Sequence, residues 1–353
     1  MTRPILSAIL SCSGYTLTDE EKYLFSKYNP LGISLFSRNL KTKEQTKNLI
    51  ETIKNVINRE DVLIAIDQEG GRVNRLESIN SHKYASAKQL SQRDITYTKY
   101  HAMLISADMK EIGANVNFAP VVDTENKSPV FEGRCISSNT NDIVKYATIL
   151  ADEYINQGIC PCFKHIPGHF TNNKDPHLKQ VVIDLPSDEI TKKINYIKNF
   201  AKYPMAMTSH AILNNIDANN PTTTSHKVIS SIIRDFIGFD GFLISDAIDM
   251  HALTGSIKEK TIKALDAGVD SICYCSGKID DIFSICNEKR FMTEKSLNRF
   301  DKIKKIINNT NKWNGEENLA REQYNQEFKE DFKYQYTYDA TETLEKILKK
   351  GDN

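Results

Sequence analysis

The sequence predicts an α/β protein, a single (β/α)8 TIM barrel with a charged, helical C-terminal extension. Two observations predict this class. Short apolar runs rich in β-branched residues alternate with polar, helix-compatible stretches, which is the pattern of strand–helix units around a parallel sheet. Polar or charged residues follow almost every run at once, and only a closed barrel gathers all strand ends around one mouth. An open doubly wound sheet is the alternative architecture.

The apolar runs define the expected strands in order. They lie at residues 5–10, 32–36, 62–66, 115–122, 158–163, 206–209, 241–245 and 271–275. Residues 43–58 are expected to form a helix, because Thr42 and Gln45 have the spacing of a capping box, and residues 142–157 are a second helical candidate. Residues 313–353 are dense in Glu, Lys and Tyr with few aliphatic side chains. The barrel domain is therefore assigned to residues 1–312 and the extension to residues 313–353.

The composition gives the chain no net charge. The 353-residue chain has 46 Lys plus Arg and 46 Asp plus Glu, so we expect no nucleic-acid or membrane partner and favour a small or neutral ligand. No segment approaches the roughly 20 apolar residues of a membrane span, and the apolar run near the N-terminus is interpreted as a buried strand rather than a secretory signal. Seven cysteines is an odd number, which favours buried free thiols in a reducing cytoplasm. The oligomeric state stays open.

Charged residues follow the third and seventh apolar runs. Asp246 comes directly after the seventh, where a carboxylate is either functional or the N-cap of the next helix. Asp67, Glu69, Arg72 and Arg75 follow the third, and the glycines at 70 and 71 allow a sharp turn between the acids and the bases. This second cluster suits a hydroxyl-rich ligand or, alternatively, a salt-bridge network that closes the barrel mouth.

A histidine-rich stretch follows the fifth run and contains His165, His169, Asp175 and His177. One hypothesis pairs Asp175 with His177, because a carboxylate-oriented imidazole with a pKa near about 6.5 can both give and take a proton at neutral pH. With Asp246 as nucleophile, this pair completes a two-step displacement. The alternative is a hydrolytic metal site, since His and carboxylate clusters at barrel mouths also bind metals. His169 is expected to be a buried histidine held by backbone hydrogen bonds.

Four ordered motifs resemble the bacterial β-N-acetylglucosaminidases of glycoside hydrolase family 3, the type that recycles cell-wall fragments. They are IDQEGGRVNR at residues 66–75, NFAPVVD at 117–123, KHIPGH at 164–169 with D-x-H at 175–177, and SDAIDM at 245–250. The resemblance covers the chain from about residue 6 to residue 275, and four motifs in the family's order are far more specific than any single one.

The resemblance implies a retaining enzyme that removes terminal N-acetylglucosamine from 1,6-anhydromuramoyl sugars or muropeptides in peptidoglycan recycling. By motif position, Asp246 is the expected nucleophile, His177 the acid/base and Asp175 its orienting partner. The resemblance also implies that five residues hydrogen-bond the sugar, namely Asp67, Arg75, Arg134, Lys164 and His165. Neither a metal nor a cofactor is expected.

Two residues depart from the family pattern. Phe170 stands where Gly is common, and Pro176 stands inside the Asp-His dyad where Ser is common. Phe170 removes backbone freedom from the loop, and Pro176 fixes its own φ and biases Asp175 toward extended geometry. Because a neutral imidazole does not repel an incoming anion, an N-acetylglucosaminide phosphorylase is an alternative, as is a β-glucosidase. A metal-dependent hydrolase and a degenerate sugar-binding barrel are the alternatives from other classes.

Overall fold

A computed structural model describes residues 3–125, 128–169, 180–309 and 315–336 of the chain. Its main sheet is built from eight strands, one of them in two segments, and all their pairings are parallel. They are β1 (Leu6–Ser11), β2 (Pro30–Leu35), β3 (Leu63–Ile66), β4 (Val116–Asn117), β5 (Cys160–Pro161 and Phe163–Ile166), β6 (Met205–Thr208), β7 (Phe242–Ala247) and β8 (Ser271–Cys273). Each expected strand is therefore present.

The two segments of β5 close this sheet into a barrel. The strand order runs from Cys160–Pro161 through β4, β3, β2, β1, β8, β7 and β6 to Phe163–Ile166. Since only Cys162 separates these two outermost segments in the sequence, they are parts of one strand and the main sheet has no free edge. The parallel pairing places all carboxyl ends at one mouth. The predicted (β/α)8 barrel is thus confirmed.

Three strand boundaries differ from the expected ones and affect the site. β5 continues to Ile166, so Lys164 and His165 lie within the strand instead of in the loop after it. β7 continues to Ala247 and includes Asp246. β4 ends at Asn117 instead of reaching residue 122, with one isolated bridge from Val121 to Lys164 beyond it. Lys164 and His165 extend β5 because carboxylates of the segments after β3 and β4 provide partners that a linear pattern does not show.

Helices surround the barrel and connect its strands. The helix expected at residues 43–58 is Lys43–Ile57, and Thr42 accepts a hydrogen bond from Gln45 N at 3.1 Å, as a capping residue does. The α-helices are Asp19–Tyr28, Lys43–Ile57, Glu77–Asn80, Ala87–Leu90, Ile95–Ile112, Thr140–Asn156, Ser187–Ile194, His226–Val228, Ile257–Ala267, Ile279–Asn287, Glu294–Ile307 and Glu317–Glu327. Shorter 3-10 helices are Ser37–Asn39, Pro129–Phe131, Asn195–Phe200, Thr222–Thr224 and Asp331–Lys333, and Ile229–Phe236 is a π-helix. Short strands outside the barrel are Gln68–Gly70, Val73–Asn74, Val182–Ile183 and Ile212–Leu213.

Alternate strand residues divide the core into an inner and an outer layer. Phe242 and Ile244 of β7 belong to the cluster inside the barrel, whereas Leu243 belongs to the cluster between strands and helices. Helix Glu294–Ile307 contributes Phe300 to the inner cluster, beside Phe242 at the start of β7, so this helix closes the end opposite the mouth. All seven cysteines lie in the described part of the chain and are buried free thiols, as expected.

The C-terminal extension is helical where the structure describes it. Residues 315–336 contain helix Glu317–Glu327 and the turn Asp331–Lys333, and they bury Tyr324 and Phe328 against the barrel. No helix within the described ranges has both the length and the apolar character that a membrane crossing needs.

Candidate active site

The mouth end of β7 presents Asp246. Its side chain is 16% exposed, and its Oδ1 accepts a hydrogen bond from Ala247 N at 2.7 Å. The next helix of β7, Ile257–Ala267, is capped by Ser256 and not by Asp246. The N-cap alternative for Asp246 is therefore wrong, and the carboxylate lies where barrel enzymes place catalytic groups.

β5 brings Lys164 and His165 to the same mouth. Both are buried, at 2% and 7% exposure. Each finds a carboxylate from a neighbouring part of the barrel, which is the condition for burying an ionisable group in a strand. The polar residues that end the apolar run in the sequence thus belong to the wall of the site.

Lys164 joins two carboxylates and an arginine into one buried network. Its Nζ lies 2.6 Å from Asp67 Oδ1 and 2.6 Å from Glu69 Oε1. Arg134 donates to the same Glu69 through Nε at 2.8 Å and Nη2 at 2.9 Å, a bidentate geometry. Burial alone raises the pKa of Glu69, but Arg134 and Lys164 outweigh it and hold that pKa far below its usual range. Glu69 therefore stays ionised and fixes both cations.

Asp123 holds the end of β5 at His165 and the following loop at His169. Its Oδ2 accepts from His165 N at 3.1 Å and His165 Nδ1 at 2.7 Å, while its Oδ1 accepts from His169 N at 2.8 Å and His169 Nδ1 at 3.2 Å. Burial alone raises the pKa of Asp123, but the two histidines outweigh it and keep the carboxyl ionised. His169 is buried as expected, but its ring partner is this carboxylate and not the backbone.

The Asp123 carboxylate also sets the tautomer of His165. Burial lowers the pKa of His165 more than Asp123 raises it, so the imidazole is neutral near pH 7. A neutral ring that donates from Nδ1 carries a lone pair on Nε2. That Nε2 lies 3.9 Å from Asp246 Oδ2, so the acceptor nitrogen faces the space beside the carboxylate.

His210 steadies the backbone next to Asp246. Its Nε2 donates to the Ala247 carbonyl oxygen at 2.9 Å, and its Nδ1 lies 2.7 Å from Thr223 Oγ1. Burial lowers the pKa of His210, which keeps the ring neutral with both nitrogens in hydrogen bonds. His210 thus orients the end of β7 instead of offering a free donor to a ligand.

Arg75 packs near an aromatic ring. Its guanidinium carbon is 6.0 Å from the ring centroid of Phe36, the residue that follows β2. The predicted catalytic pair Asp175 and His177, with Phe170 and Pro176, lies outside the described residues. Of the predicted site residues, the structure brings together Asp67, Arg134, Lys164, His165 and Asp246.

Asp123 was not predicted as a site residue, whereas Glu69 was expected either to contact a hydroxyl-rich ligand or to join a salt-bridge network at the mouth. The structure shows Glu69 in such a network with Arg134 and Lys164, and both carboxylates hold the other residues in place. Both occur in the quoted motifs, and Asp123 follows the fourth apolar run directly. The signal that identifies them is the presence of buried cationic or imidazole groups, since such groups require a charged or hydrogen-bonding partner. Asp123, His165 and His169 also place three potential ligand atoms within 4.8 Å of one another.

Known proteins match this fold and this chain over most of its length. The family model described as glycosyl hydrolase family 3 N terminal domain matches residues 7–306. A β-hexosaminidase of Psychromonas ingrahamii is 31% identical, covering 81% of this chain and 87% of the relative. A β-hexosaminidase of Haemophilus influenzae is 27% identical, covering 87% and 91% respectively.

The barrel also superposes on solved structures. NagZ from Neisseria gonorrhoeae, solved in complex with N-trifluoroacetyl-D-glucosamine, gives a TM-score of 0.80 at 23% identity and covers 92% of this chain and 98% of its own. A glycoside hydrolase family 3 β-N-acetylglucosaminidase from Paenibacillus gives a TM-score of 0.79 at 21% identity, covering 91% of this chain and 67% of its own. The chain therefore belongs to glycoside hydrolase family 3 and is a glycoside hydrolase.

Proposed function

We propose that the protein is an exo-acting, retaining β-N-acetylglucosaminidase. Its proposed substrate is a 1,6-anhydro-muropeptide, from which it removes terminal N-acetylglucosamine during peptidoglycan recycling in the cytoplasm. The observation that carries this proposal is the Asp246 carboxylate at the mouth end of β7, beside the acceptor nitrogen of His165 and close to a buried polar network. The β-hexosaminidase names of the relatives support the sugar specificity.

The proposed chemistry has two displacements. Asp246 attacks the anomeric carbon while the glycosidic bond breaks, and protonated His177 gives its proton to the departing oxygen. Neutral His177 then takes a proton from water, whose oxygen attacks the anomeric carbon and releases Asp246. Asp175 orients His177 in both steps. Each displacement inverts the anomeric centre, so the product retains the starting configuration.

The sugar is proposed to bind against the fixed polar groups. Lys164 and Arg134 donate hydrogen bonds to hydroxyl groups, Asp67 accepts them, and the His165 Nε2 lone pair accepts one more. Arg75 adds a donor from the loop after β3. Glu69 already holds Arg134 and Lys164, and Asp123 already holds His165. Little ordering of these side chains is therefore required when the sugar enters.

The nucleophile assignment is tested by Asp246→Asn. A chromogenic β-N-acetylglucosaminide should be turned over by the wild type and not by the variant, since an amide cannot form the glycosyl-enzyme. Asp266→Asn provides a matched control, because its carboxylate is 55% exposed on helix Ile257–Ala267. Circular dichroism checks that both variants are folded. Full activity of Asp246→Asn would refute the assignment.

Two related activities are separated by changing the acceptor and the substrate. Incubation with and without inorganic phosphate distinguishes phosphorolysis from hydrolysis, and unchanged products remove the phosphorylase alternative. A matched pair of N-acetylglucosaminide and glucoside substrates distinguishes the hexosaminidase from a β-glucosidase. Binding of N-acetylglucosamine without any turnover would support the sugar-binding alternative.

The cluster of Asp123, His165 and His169 is the observation that keeps a metal-dependent hydrolase as the second candidate. The hydrogen bonds favour the first proposal, because each Nδ1 that donates to Asp123 has no lone pair for a metal. A chelator distinguishes the two. Loss of activity in the chelator that returns with added metal would favour the metal hydrolase, whereas full activity supports the Asp246 mechanism.

A further inference from the structure

Residues 315–336, here called the C-terminal brace, pack behind the two loops that carry Glu69 and Arg134. We propose that the brace positions these loops and thereby sets the affinity of the sugar site. The inference rests on the proposed function, in which Arg134 binds the sugar. It assigns a role in substrate binding to the segment that lies after the barrel.

Tyr324 anchors the brace at the loop after β3. Its side chain is 1% exposed, and its Oη accepts a hydrogen bond from Ala85 N at 2.9 Å and lies 2.7 Å from His101 Nδ1. A Cβ placed on Gly70 would lie 2.8 Å from His101 Cε1 and 2.3 Å from the Ala85 carbonyl oxygen. The two partners of Tyr324 therefore press directly on the residue that follows Glu69.

Tyr336 contacts both loops at once. A Cβ on Gly71 would lie 2.7 Å from Tyr336 Oη, and a Cβ on Gly133 would lie 2.9 Å from Tyr336 Cε1. Both glycines have positive φ, at 56° and 73°, so each loop turns sharply where the ring touches it. Gly133 directly precedes Arg134, so the ring packs against the residue before Arg134 in the sequence.

Side chains of the two loops and of the brace complete this contact. Tyr334 donates to Glu132 Oε1 at 2.7 Å, and Arg72 donates to the carbonyl oxygens of Val130 and Glu132. The loop after β3 is thus tied to the loop after β4, and both are tied to the brace. A shift of the brace moves the two loops relative to the rest of the barrel.

Charged groups fix the position of the brace on the barrel. Arg321 Nη2 lies 3.0 Å from Asp108 Oδ1, and Asp108 is 3% exposed. Arg93 lies 2.9 Å from Glu327 and 2.9 Å from Asp331. Because Asp108 is buried, losing its pair with Arg321 would leave an uncompensated buried charge, so this pair holds the brace on the barrel.

The loops matter for binding because they carry the two halves of a bidentate ion pair. Glu69 holds Arg134 at 2.8 and 2.9 Å, and a displacement of either loop lengthens both hydrogen bonds. Asp246 lies at the end of β7, outside both of these loops. We therefore expect loss of the brace contacts to weaken sugar binding with little effect on the chemical step.

Amide hydrogen exchange tests the positioning directly. Tyr324→Phe and Tyr336→Ala should speed exchange in residues 68–76 and 129–136 by about tenfold, since each variant removes contacts behind these loops. Tyr28→Phe is the matched control for the first variant, because it loses one hydrogen bond to Asn287 in another part of the barrel. Tyr23→Ala, at a position 58% exposed, is the control for the second. Unchanged exchange in both test variants overturns the proposal, whether or not the enzyme is active.

Steady-state kinetics and calorimetry test the consequence for binding. Both test variants should raise KM for a β-N-acetylglucosaminide by about three- to tenfold and leave kcat within about twofold. The Kd of N-acetylglucosamine should rise by the same factor, and the two control variants should match the wild type. A variant that exchanges faster but keeps its KM and Kd also overturns the proposal. An inactive wild type would instead refute the proposed function, and the Kd comparison then decides the role of the brace.

Discussion

Replacing Asp123 by asparagine tests the residue that holds both His165 and His169. An amide has one acceptor oxygen and one NH2 group in place of the two carboxylate oxygens. Whichever way the amide is turned, the backbone N–H and the ring Nδ1 of one of the two histidines lose their acceptor and face the NH2 group. Each hydrogen bond to a charged group is worth about 1.5 to 3 kcal/mol, so we expect Asp123→Asn to reduce the free energy of unfolding by about 3 to 6 kcal/mol.

Urea-induced unfolding at pH 7 measures this loss. Asp188→Asn makes the same chemical change at a carboxylate that is 68% exposed and paired with Lys192, where we expect about 0.5 kcal/mol or less. Equal losses in the two variants would refute the reasoning. The pH dependence gives a second check, because the folded pKa of Asp123 lies below its unfolded value. The stabilisation is present above pH about 4 and is lost as the pH falls through the folded pKa, so the two proteins should converge in acid.

Three further predictions use other parts of the structure. His177→Ala should lower kcat for the β-N-acetylglucosaminide by about 10² to 10⁴ with a smaller effect on KM, and an unchanged kcat would exclude it as the acid/base. Lys164→Met removes the cation shared by Glu69, which is buried, and Asp67, which is partly buried, so urea unfolding should show a loss of about 3 to 5 kcal/mol, against almost none for the exposed Lys192→Met. Burial lowers the pKa of His101 to about 3, so the unfolded chain binds more protons below pH 6.5 and stability should fall by about 2 kcal/mol between pH 6.5 and pH 5. The stability of His101→Gln should not show this fall with pH. An equal fall in the wild type and the variant would contradict the lowered pKa of His101.

The sequence by itself was sufficient to predict the barrel and its family. Each strand is a local apolar run and each helix follows a local pattern, so their order along the chain can be predicted without tertiary information. The motifs containing Asp67, Lys164 and Asp246 are likewise local, and the structure gathers all three at the barrel mouth because parallel strands share one carboxyl end.

Strand boundaries at the site could not be predicted from the same pattern. Lys164 and His165 end an apolar run, so they were expected in a loop, and yet they belong to β5. A buried lysine within a strand requires carboxylates at hydrogen-bond distance, and those come from Asp67 and Glu69, almost a hundred residues earlier.

Only the tertiary structure decided which residues hold the site together. Asp123 was one of several polar residues after a strand until His165 and His169, 42 and 46 residues later, were found on its two oxygens. Tyr336 was one tyrosine of a charged tail until its ring was found between Gly71 and Gly133. Hydrophobic periodicity records which face of an element is buried, whereas a hydrogen bond or a ring contact between distant segments depends on positions that exist only after the barrel has closed.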